Sequence, residues 1–371
     1  MTQHCIAIAA GGTGGHFFPA EALACELVRR GHDIILMTDQ RAGGRDSGVF
    51  AGRPQFVLPG AGIAGRGLVR ASRAALALAR GTLQARGIIG RIRPAAIIGF
   101  GGYPSVPPLL GGSLLGKSRR PLLFMHEGNA VLGKANGFLA PRMDGIATSF
   151  PTVAGVPTGV PTTLTGMPVR PDIAALAGEG YEPSNGVLNL LVWGGSLGAR
   201  VFSDVVPPAL AALPPALRAR LQVTQQARAE DVERVQAAYK TAGIPATIAP
   251  FLDDVPGLLR AAHLVIGRAG GSSVAELTVA GRPAVLVPLP IAARDEQGAN
   301  AQALVDAGAA WMIRQPEFSA PALTQRLSTL LADRDLLVRT AQAASRLGRP
   351  DAAHLLADMI EARLPDMPRT A

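Results

Sequence analysis

Residues 4–16 read His4-Cys-Ile-Ala-Ile-Ala-Ala-Gly-Gly-Thr-Gly-Gly-His16. An uncharged, β-prone run is followed by four glycines, and a helical pattern then extends from Phe17 to Arg30. Continuous apolar runs of this kind are typical of parallel strands covered on both faces. Glycines after such a strand let the backbone approach a ligand, and the helix N-terminus that follows attracts anions. The stretch therefore predicts a strand, a ligand-binding turn and a helix.

The same order of elements returns in the second half of the chain. Val187–Trp193 predicts a strand, residues 194–198 predict a glycine turn, and Ala199–Leu213 predicts a helix. Two βα-repeating halves predict an α/β fold with two doubly wound Rossmann-like domains facing across a cleft. A Pro-, Thr- and Gly-rich stretch at 149–171 is interpreted as the last strand of the first domain and the crossing segment. We expect the domains at 1–168 and 169–346, with a last helix at about 347–365 packing back on the first.

The composition excludes several classes of protein. Hydrophobic residues make up 48% of the 371 residues and charged residues 17%, which excludes a disordered chain. The two cysteines exclude a disulfide scaffold, and no signal peptide is expected. The uncharged run at 94–116 contains four prolines and six glycines, so it predicts a strand, a turn and a short helix. No membrane span is expected.

Positive charge is concentrated in one block. Residues 41–100 contain ten arginines and one acid, whereas the rest of the chain has a net charge of zero. Such a block favours a polyanionic partner, which could be nucleic acid, an anionic membrane or a phosphorylated substrate. The block contains only three aromatic residues that could stack on bases, Phe50, Phe56 and Phe100, so nucleic acid is disfavoured. The predicted helix at 67–86 alternates leucine and arginine and suits a bilayer surface; the alternative is a domain helix whose leucines face the sheet.

Three other motifs are assigned no function. Gly111–Ser118 matches the Walker A pattern but follows no strand and opens no helix, so we interpret it as a helix C-terminus with Gly116 as its cap. Asp333-Arg-Asp335 resembles a metal-binding D-x-D but is interpreted as the start of a helix. Phe17 breaks the dinucleotide pattern G-x-G-x-x-G after Gly12. No metal site and no cofactor are expected.

The segment Arg268–Glu276 is the most informative part of the second half. Glycines and hydroxyl side chains open a predicted helix, an arrangement that can hold a diphosphate. Glu276 follows one turn later, where a carboxylate could hold a ribose diol. The segment therefore predicts a nucleotide diphosphate site.

Seven motifs in register carry a resemblance to a known family. They are Gly11–Pro19, Gly99–Ser105, His126–Asn129, Gly166–Arg170, Gly194–Arg200, Arg268–Glu276 and Gln297–Ala301. In this order they resemble the MurG family of undecaprenyldiphospho-muramoylpentapeptide β-N-acetylglucosaminyltransferases, over about residues 4–363. The resemblance implies the GT-B fold and no cofactor. It implies transfer of N-acetylglucosamine, with inversion, from UDP-GlcNAc to the C4 hydroxyl of the muramoyl sugar of lipid I, which gives lipid II for peptidoglycan. It also implies a peripheral protein at the cytoplasmic face of the inner membrane.

The resemblance also implies site residues. The Leu252 backbone would face the uracil, and Glu276 would hold the ribose hydroxyls. The positions implied around the diphosphate are Arg170, Ser196, Gly271, Ser272 and Ser273. Gln297 and Asn129 would contact the GlcNAc. The first domain would approach the donor with Thr13, Gly14, Gly15 and His16.

The acceptor hydroxyl must lose a proton, which calls for a general base near neutral pKa. His16 is the first candidate, and His126 and Glu127 are the reserves. Three positions depart from the family pattern: Gly128 stands where Gln is usual, Met167 where Asn is usual, and Glu296 where His or Gln is usual. A GT-B transferase or epimerase that uses another UDP-sugar is the alternative among enzymes, and a nucleic-acid-binding protein is the alternative outside them.

Overall fold

The computed structural model describes residues 2–11, 14–40, 48–59, 68–195, 198–290 and 294–365, with the backbone alone at 68–71. The chain forms two compact units, which we call the first and second domains. The first is Met1–Arg170 with Asp351–Ala371, and the second is Pro171–Pro350. The sequence placed these boundaries at 168/169 and 346/347.

The first domain is built on a seven-stranded parallel sheet. Its strands are β1 Cys5–Ala9, β2 Asp33–Asp39, β3 Gln55–Leu58, β4 Ala96–Gly99, β5 Leu122–Glu127, β6 Gly145–Thr148 and β7 Thr162–Leu164. Their order is β3-β2-β1-β4-β5-β6-β7. The chain reverses its direction across the sheet between β1 and β4. Ligands of such sheets bind beyond the carboxyl ends of the strands at this switch point.

Helices cover both faces of this sheet. They are α1 Gly14–Arg29, α2 Leu68–Ile92, α3 Val106–Ser113 and α4 Lys134–Leu139. One core lies under α1 and contains Phe17, Leu23 and Leu27. The other lies under α2 and α3 and includes Ile88 and Leu109. The apolar strands therefore face helices on both sides, which explains their unbroken hydrophobic runs.

The second domain repeats the plan with six parallel strands, β8 Leu188–Trp193, β9 Leu221–Gln226, β10 Ala246–Ala249, β11 Leu264–Gly267, β12 Ala284–Leu286 and β13 Trp311–Met312. Their order is β10-β9-β8-β11-β12-β13. The helices are α5 Pro171–Ala174, α6 Arg200–Ala211, α7 Pro215–Arg218, α8 Val232–Thr241, α9 Val255–Ala261, α10 Gly271–Val279, α11 Glu296–Asp306, α12 Ala320–Ala332 and α13 Arg334–Leu347. Here the switch point lies between β8 and β11.

The last helix, α14 Ala352–Glu361, belongs to the first domain. Its buried residues Leu356 and Ile360 share a core with α1 and β1. At its end, Glu361 Oε1 lies 2.8 Å from Nε2 of His32, and Glu361 also pairs with Arg30. Hydrophobic burial and these polar contacts hold α14 against α1.

The helix predicted at 67–86 is longer than expected. It is α2, which continues through Gly87 and Gly90 to Ile92. A Cβ on Gly81 would lie 2.1 Å from the carbonyl oxygen of Pro59, so that position requires glycine. In the part of the chain that the structure describes, no helix is long and apolar enough to cross a membrane.

The packing of α3 against α2 explains the first glycine of the segment Gly111–Ser118, which matches the Walker A pattern. The first residues of this segment end α3, and a Cβ on Gly111 would lie 2.9 Å from backbone atoms of Thr82 and Arg86 in α2. The glycine therefore allows two helices to approach closely. The helix ends with Leu114 as its C-cap, not with Gly116 as expected. Gly116 is wrong as a cap because the hydrogen-bonded turns of α3 stop before it.

Candidate active site

The glycine turn after β4 supports the imidazole of His16. Gly101 and Gly102 have φ of 84° and 67°, a left-handed backbone that favours glycine. His16 lies in the first turn of α1. Its Nε2 is 3.7 Å from the position of a Cβ on Gly101, and its Cε1 is 3.5 Å from that on Gly102. Desolvation lowers the pKa of His16, so its half-buried ring is neutral at pH 7 and can accept a proton.

His126 lies near the end of β5 and is only 2% exposed. Its ring stacks on Phe100, with 5.5 Å between ring centroids. Its Nε2 lies 2.9 Å from the carbonyl oxygen of Gly166. Because a carbonyl only accepts, Nε2 carries the proton of the neutral ring and donates it to this hydrogen bond. Burial lowers the pKa of His126 to about 4, so the ring stays neutral through the physiological range.

Glu127 follows on the same strand, and its carboxylate accepts four hydrogen bonds. Oε1 accepts from the backbone N and side-chain Nδ2 of Asn129, at 3.0 and 2.9 Å. Oε2 accepts from Gly133 N and Asn136 Nδ2, both at 2.9 Å. Burial raises the pKa of Glu127, although these four donors oppose the shift. The carboxylate therefore shapes the loop that carries Asn129.

Two of the departures from the family pattern are in contact. A Cβ on Gly128 would lie 2.1 Å from Cε of Met167, so the methionine fills space that a side chain at 128 would take. Met167 is 8% exposed. The third departure, Glu296, lies in the first turn of α11, where its Oε2 accepts a hydrogen bond from Arg294 N at 3.3 Å.

The remaining first-domain candidates surround the start of α1. Gly14 and Gly15 are the first two residues of α1, whereas Thr13 lies outside the described residues. A Cβ on Gly14 would lie 2.8 Å from the ring of Phe18. The guanidinium of Arg170 stacks on that ring at 5.2 Å. The structure thus groups Arg170 with α1, whereas the sequence placed it in the second domain.

In the second domain, the turn after β8 depends on glycine. A Cβ on Gly194 would lie 2.6 Å from the backbone N of Ala199, and Gly195 and Gly198 have φ of 82° and 64°. The side chain of Gln226 holds the turn, since its Oε1 accepts from Gly194 N at 3.2 Å. Ser196, predicted to touch the diphosphate, lies outside the described residues.

The N-terminus of α10 follows β11 at the switch point. Gly270 is its N-cap, and no side chain caps the helix. Gly271, Ser272 and Ser273 form its first turn, where backbone N–H groups have no partner within the helix. Such a terminus attracts anions through these groups and the helix dipole. Glu276, one turn later, is 6% exposed.

Two backbone N–H groups orient the side chain of Gln297. Its Oε1 accepts from Ala269 N at 3.3 Å and from Leu289 N at 3.0 Å. Its Nε2 lies 3.9 Å from the position of a Cβ on Gly270, beside the N-terminus of α10. The structure therefore brings Gln297 and the α10 loop together, as the resemblance implied. Leu252, 8% exposed, lies on the loop between β10 and α9, at the carboxyl edge of the same sheet.

Sequence reasoning missed three amides that hold these loops. Gln226 holds the β8 turn, Asn136 donates to Glu127, and Asn300 Nδ2 donates to the carbonyl oxygen of Ala269 at 2.9 Å. Each of them is at most 3% exposed. Spacing in the sequence carries no signal for such contacts. Only burial of an amide beside a glycine turn reveals them.

The acidic motifs act as helix caps. Oδ1 of Asp333 accepts from Leu336 N at 2.8 Å and caps α13, and Asp254 caps α9 in the same way. Within the described ranges, no cluster of three or more His, Cys, Asp or Glu side chains could hold a metal ion. The interpretation of Asp333-Arg-Asp335 as a helix start is confirmed.

Comparison with known proteins decides the family. The glycosyltransferase family 28 N-terminal domain matches residues 6–148, and the corresponding C-terminal domain matches residues 189–356. A UDP-N-acetylglucosamine–N-acetylmuramyl-(pentapeptide) pyrophosphoryl-undecaprenol N-acetylglucosamine transferase of Gluconobacter oxydans is 60% identical over 359 residues, which is 97% of this chain and 98% of the relative. The chain belongs to the MurG family of glycosyltransferases.

Two further comparisons agree. The transferase of the same name from Granulibacter bethesdensis is 57% identical over 366 residues, covering 98% of this chain and 95% of the relative. The crystal structure of Acinetobacter baumannii MurG is 30% identical, has a TM-score of 0.78, and covers 97% of this chain and 99% of that one. The resemblance read from seven motifs and the predicted GT-B fold class are confirmed.

Proposed function

We propose that the chain transfers N-acetylglucosamine from UDP-GlcNAc to the C4 hydroxyl of the muramoyl sugar of undecaprenyl-diphospho-muramoylpentapeptide. This is the step from lipid I to lipid II in peptidoglycan synthesis. The observation that carries the proposal is 60% identity, over 97% of the chain, to a transferase whose name states this donor and this acceptor.

The second domain is the proposed donor domain. N–H groups of Gly271, Ser272 and Ser273 would bind the diphosphate, and Glu276 would accept hydrogen bonds from the ribose hydroxyls. Leu252 would face the uracil through its backbone. Because Oε1 of Gln297 already accepts two backbone N–H groups, its Nε2 is the group left to donate to the GlcNAc. Ser196 joins this set by resemblance alone.

The first domain is the proposed acceptor domain, and His16 is its proposed base. A neutral, half-buried imidazole suits the removal of the C4 hydroxyl proton. His126 and Glu127 suit positioning instead, because each is only 2% exposed and both carboxylate oxygens of Glu127 already accept hydrogen bonds. Asn129, held by Glu127, remains the proposed sugar contact from this side. Thr13, Gly14, Gly15 and Arg170 are proposed to border the donor.

The reaction follows from these roles. The acceptor C4 oxygen attacks C1 of GlcNAc on the face opposite UDP, so the new O–C1 bond forms as the bond from C1 to the phosphate oxygen breaks. The electron pair leaves with UDP, and the hydroxyl proton passes to His16. Developing charge on the diphosphate would be stabilised by the preorganised N–H groups of α10. A single displacement of this kind inverts the anomeric centre.

Peripheral binding at the cytoplasmic face of the inner membrane is also proposed. On α2, Arg73, Leu76, Arg80 and Leu83 follow the spacing i, i+3, i+7, i+10, which places them on one helix face. Leu76 is 53% exposed and Leu83 is 65% exposed. Leu78, in contrast, packs against the domain core. An exposed stripe of leucine and arginine suits an anionic bilayer surface.

The test is transfer from radiolabelled UDP-GlcNAc to a lipid I analogue. We expect labelled product with this donor, and much slower transfer from UDP-glucose or UDP-GalNAc. Equal turnover of all three donors would overturn the donor assignment. EDTA is expected to leave the rate unchanged. Loss of activity in EDTA with recovery in Mg²⁺ would contradict the expectation that no metal is needed.

A further inference from the structure

Asp295, the residue before α11, has an unusual backbone conformation. Its φ of 52° and ψ of 37° lie in the left-handed region. Among the residues that the structure describes, only Arg93 shares a positive φ without being glycine. Such conformations persist where the surroundings hold them, and they cluster at functional sites. Asp295 is the N-cap of α11, yet its side chain does not cap the helix.

Two contacts hold Asp295 in place. Nη1 of Arg314, which follows β13, donates to Oδ2 of Asp295 at 2.6 Å. A Cβ on Gly298 would lie 2.3 Å from both carboxylate oxygens, so the carboxylate occupies the space above this glycine. The carboxylate therefore lies over the first turn of α11 and accepts from Arg314, without a capping hydrogen bond from a backbone N–H of that turn. The first backbone hydrogen bond of α11 still forms, from Ala299 N to Asp295 O at 2.9 Å.

The first turn of α11 carries the residue that faces the donor loop. Gln297 is two positions after Asp295, and its Oε1 is held by Ala269 N and Leu289 N. The direction of its Nε2 therefore depends on where α11 begins. A shift of this first turn would lengthen both hydrogen bonds and turn the amide away from Gly270.

We propose that Asp295 and Arg314 are positioning residues for recognition of the donor sugar. They fix the first turn of α11 so that Nε2 of Gln297 points at the N-acetylhexosamine of the nucleotide sugar. This rests on the proposed function, in which UDP-GlcNAc is the donor. It extends that function by assigning sugar discrimination to two residues that do not themselves touch the sugar.

An ordinary surface ion pair would behave differently. The side chains of Arg314 and Asp295 are 44% and 52% exposed, and exposed pairs contribute little to stability. If the pair were only such a contact, its removal would leave donor discrimination unchanged. A positioning role appears instead as a change in sugar recognition without a change in UDP binding.

The experiment compares Asp295→Ala, Arg314→Met and the double variant with wild type. Alanine is strained at a positive φ, and methionine keeps the length of arginine without its charge. We expect either single change to raise the KM for UDP-GlcNAc about 10-fold and to lower the preference over UDP-GalNAc similarly, a loss typical of a misplaced polar contact. The Kd of UDP should stay within about twofold, because α10 is untouched. Since both residues serve one contact, the double variant should be no worse than Asp295→Ala.

Two further variants make the result specific. Asp295→Asn tolerates the left-handed region and should restore part of the discrimination. Arg260→Met breaks an exposed pair of similar length, 2.7 Å to Glu179, and should change neither KM nor discrimination. Fluorescence of the two tryptophans, both in the second domain, verifies that each variant is folded.

The outcomes separate this proposal from the proposed function. If wild type fails to transfer GlcNAc to a lipid I analogue, the proposed function is wrong. If wild type transfers but the Asp295 and Arg314 variants keep full sugar discrimination, the positioning role is wrong. Additive losses in the double variant would also overturn it. Calorimetric binding of UDP-GlcNAc and UDP gives the same comparison without turnover.

Discussion

The carboxyl edges of the two sheets share a topology but differ in chemistry. In the first domain, the candidates at this edge include His16, His126 and Glu127, and burial shifts the pKa of all three. In the second domain, the candidates are backbone N–H groups, hydroxyls and the Gln297 amide, with Glu276 as the acid among them. Under the proposed function, two sheets of the same topology therefore serve different purposes, proton transfer in the first domain and nucleotide binding in the second. Topology sets where a ligand lies, and the side chains set what is done to it.

The largest effect should come from His16, which tests whether the first domain supplies the base. His16→Ala is expected to lower kcat about 10²- to 10⁴-fold, the usual contribution of a general base, with little change in UDP affinity. His16→Gln should be as slow, because glutamine can hydrogen-bond but cannot take a proton at neutral pH. Steady-state kinetics measure both variants, with His354→Gln, at an exposed histidine on α14, as the control. Near wild-type turnover by His16→Gln would remove His16 as the base.

The next effect concerns His126 and the acid stability of the first domain. Unfolded His126 has a pKa near its ordinary value of 6.5, whereas burial lowers the folded value to about 4. Unfolding therefore takes up a proton between these values, so stability is lost as pH falls from 6.5 to 4. At pH 4 the free energy of unfolding is therefore lower by about 3 kcal/mol, since a shift of one pKa unit corresponds to about 1.36 kcal/mol.

Hydrogen exchange of the β1 and β5 amides at pH 7 and pH 4.5 measures this loss. His126→Gln should reduce the pH dependence of exchange in these strands. Contributions from His16 and Glu127 are present in both proteins, so the comparison isolates His126. Tryptophan fluorescence follows the second domain, because Trp193 and Trp311 both lie there, and should be unaffected by the substitution. An unchanged pH dependence in β1 and β5 would contradict the prediction.

Substitution of Glu276 tests whether the second domain binds the nucleotide. A carboxylate that accepts two hydroxyl hydrogen bonds contributes about 1.5–3 kcal/mol. Glu276→Ala should therefore weaken UDP binding about 10- to 100-fold. Titration calorimetry measures the affinity, with Glu233→Ala on α8 as a matched exposed control. A folded Glu276→Ala protein with unchanged UDP affinity would refute the role.

The smallest effect is expected at the proposed membrane face of the first domain. Each arginine near anionic headgroups contributes about 1 kcal/mol, so Arg73→Glu/Arg80→Glu should weaken vesicle binding at least about 10-fold. Co-sedimentation with anionic vesicles measures this binding. Arg339→Glu/Arg346→Glu on α13 has the same seven-residue spacing in the other domain and should bind as wild type does. Equal binding by the two double variants would exclude this face of α2.

Much of the fold could be predicted from the sequence because its strands are apolar and its turns contain glycine. β1, β4 and β8 each combine a hydrophobic run with a following glycine turn, and each was expected near its observed position. β9 was missed because polar residues alternate along it: Gln222, Thr224 and Gln226 interrupt the apolar run. β13 was missed because two residues carry no periodicity.

The candidate site was predictable where backbone geometry repeats and unpredictable where contacts are distant in sequence. The α10 loop and Gln297 are brought together as the resemblance implied. The contacts of Asp295 with Arg314 and of Gly128 with Met167 could not be predicted, because no regular spacing in the sequence relates the two residues of either pair. Arg170 was placed with the second domain because the boundary was expected at 168/169, inside the crossing segment, but its cation–π contact with Phe18 groups it with the first.

The position of α14 affects how the protein folds during synthesis. Leu356 and Ile360 are fully buried in the core formed by β1 and α1, so that core is complete only when the final helix is available. A ribosome adds about 5–20 residues per second, and domains generally fold as units as they emerge. The second domain, Pro171–Pro350, is made in one uninterrupted stretch and can fold while α14 is still being translated. The domain whose synthesis starts first is therefore the last to be completed. A ribosome that stalls after residue 350 would leave its apolar surface exposed to chaperones.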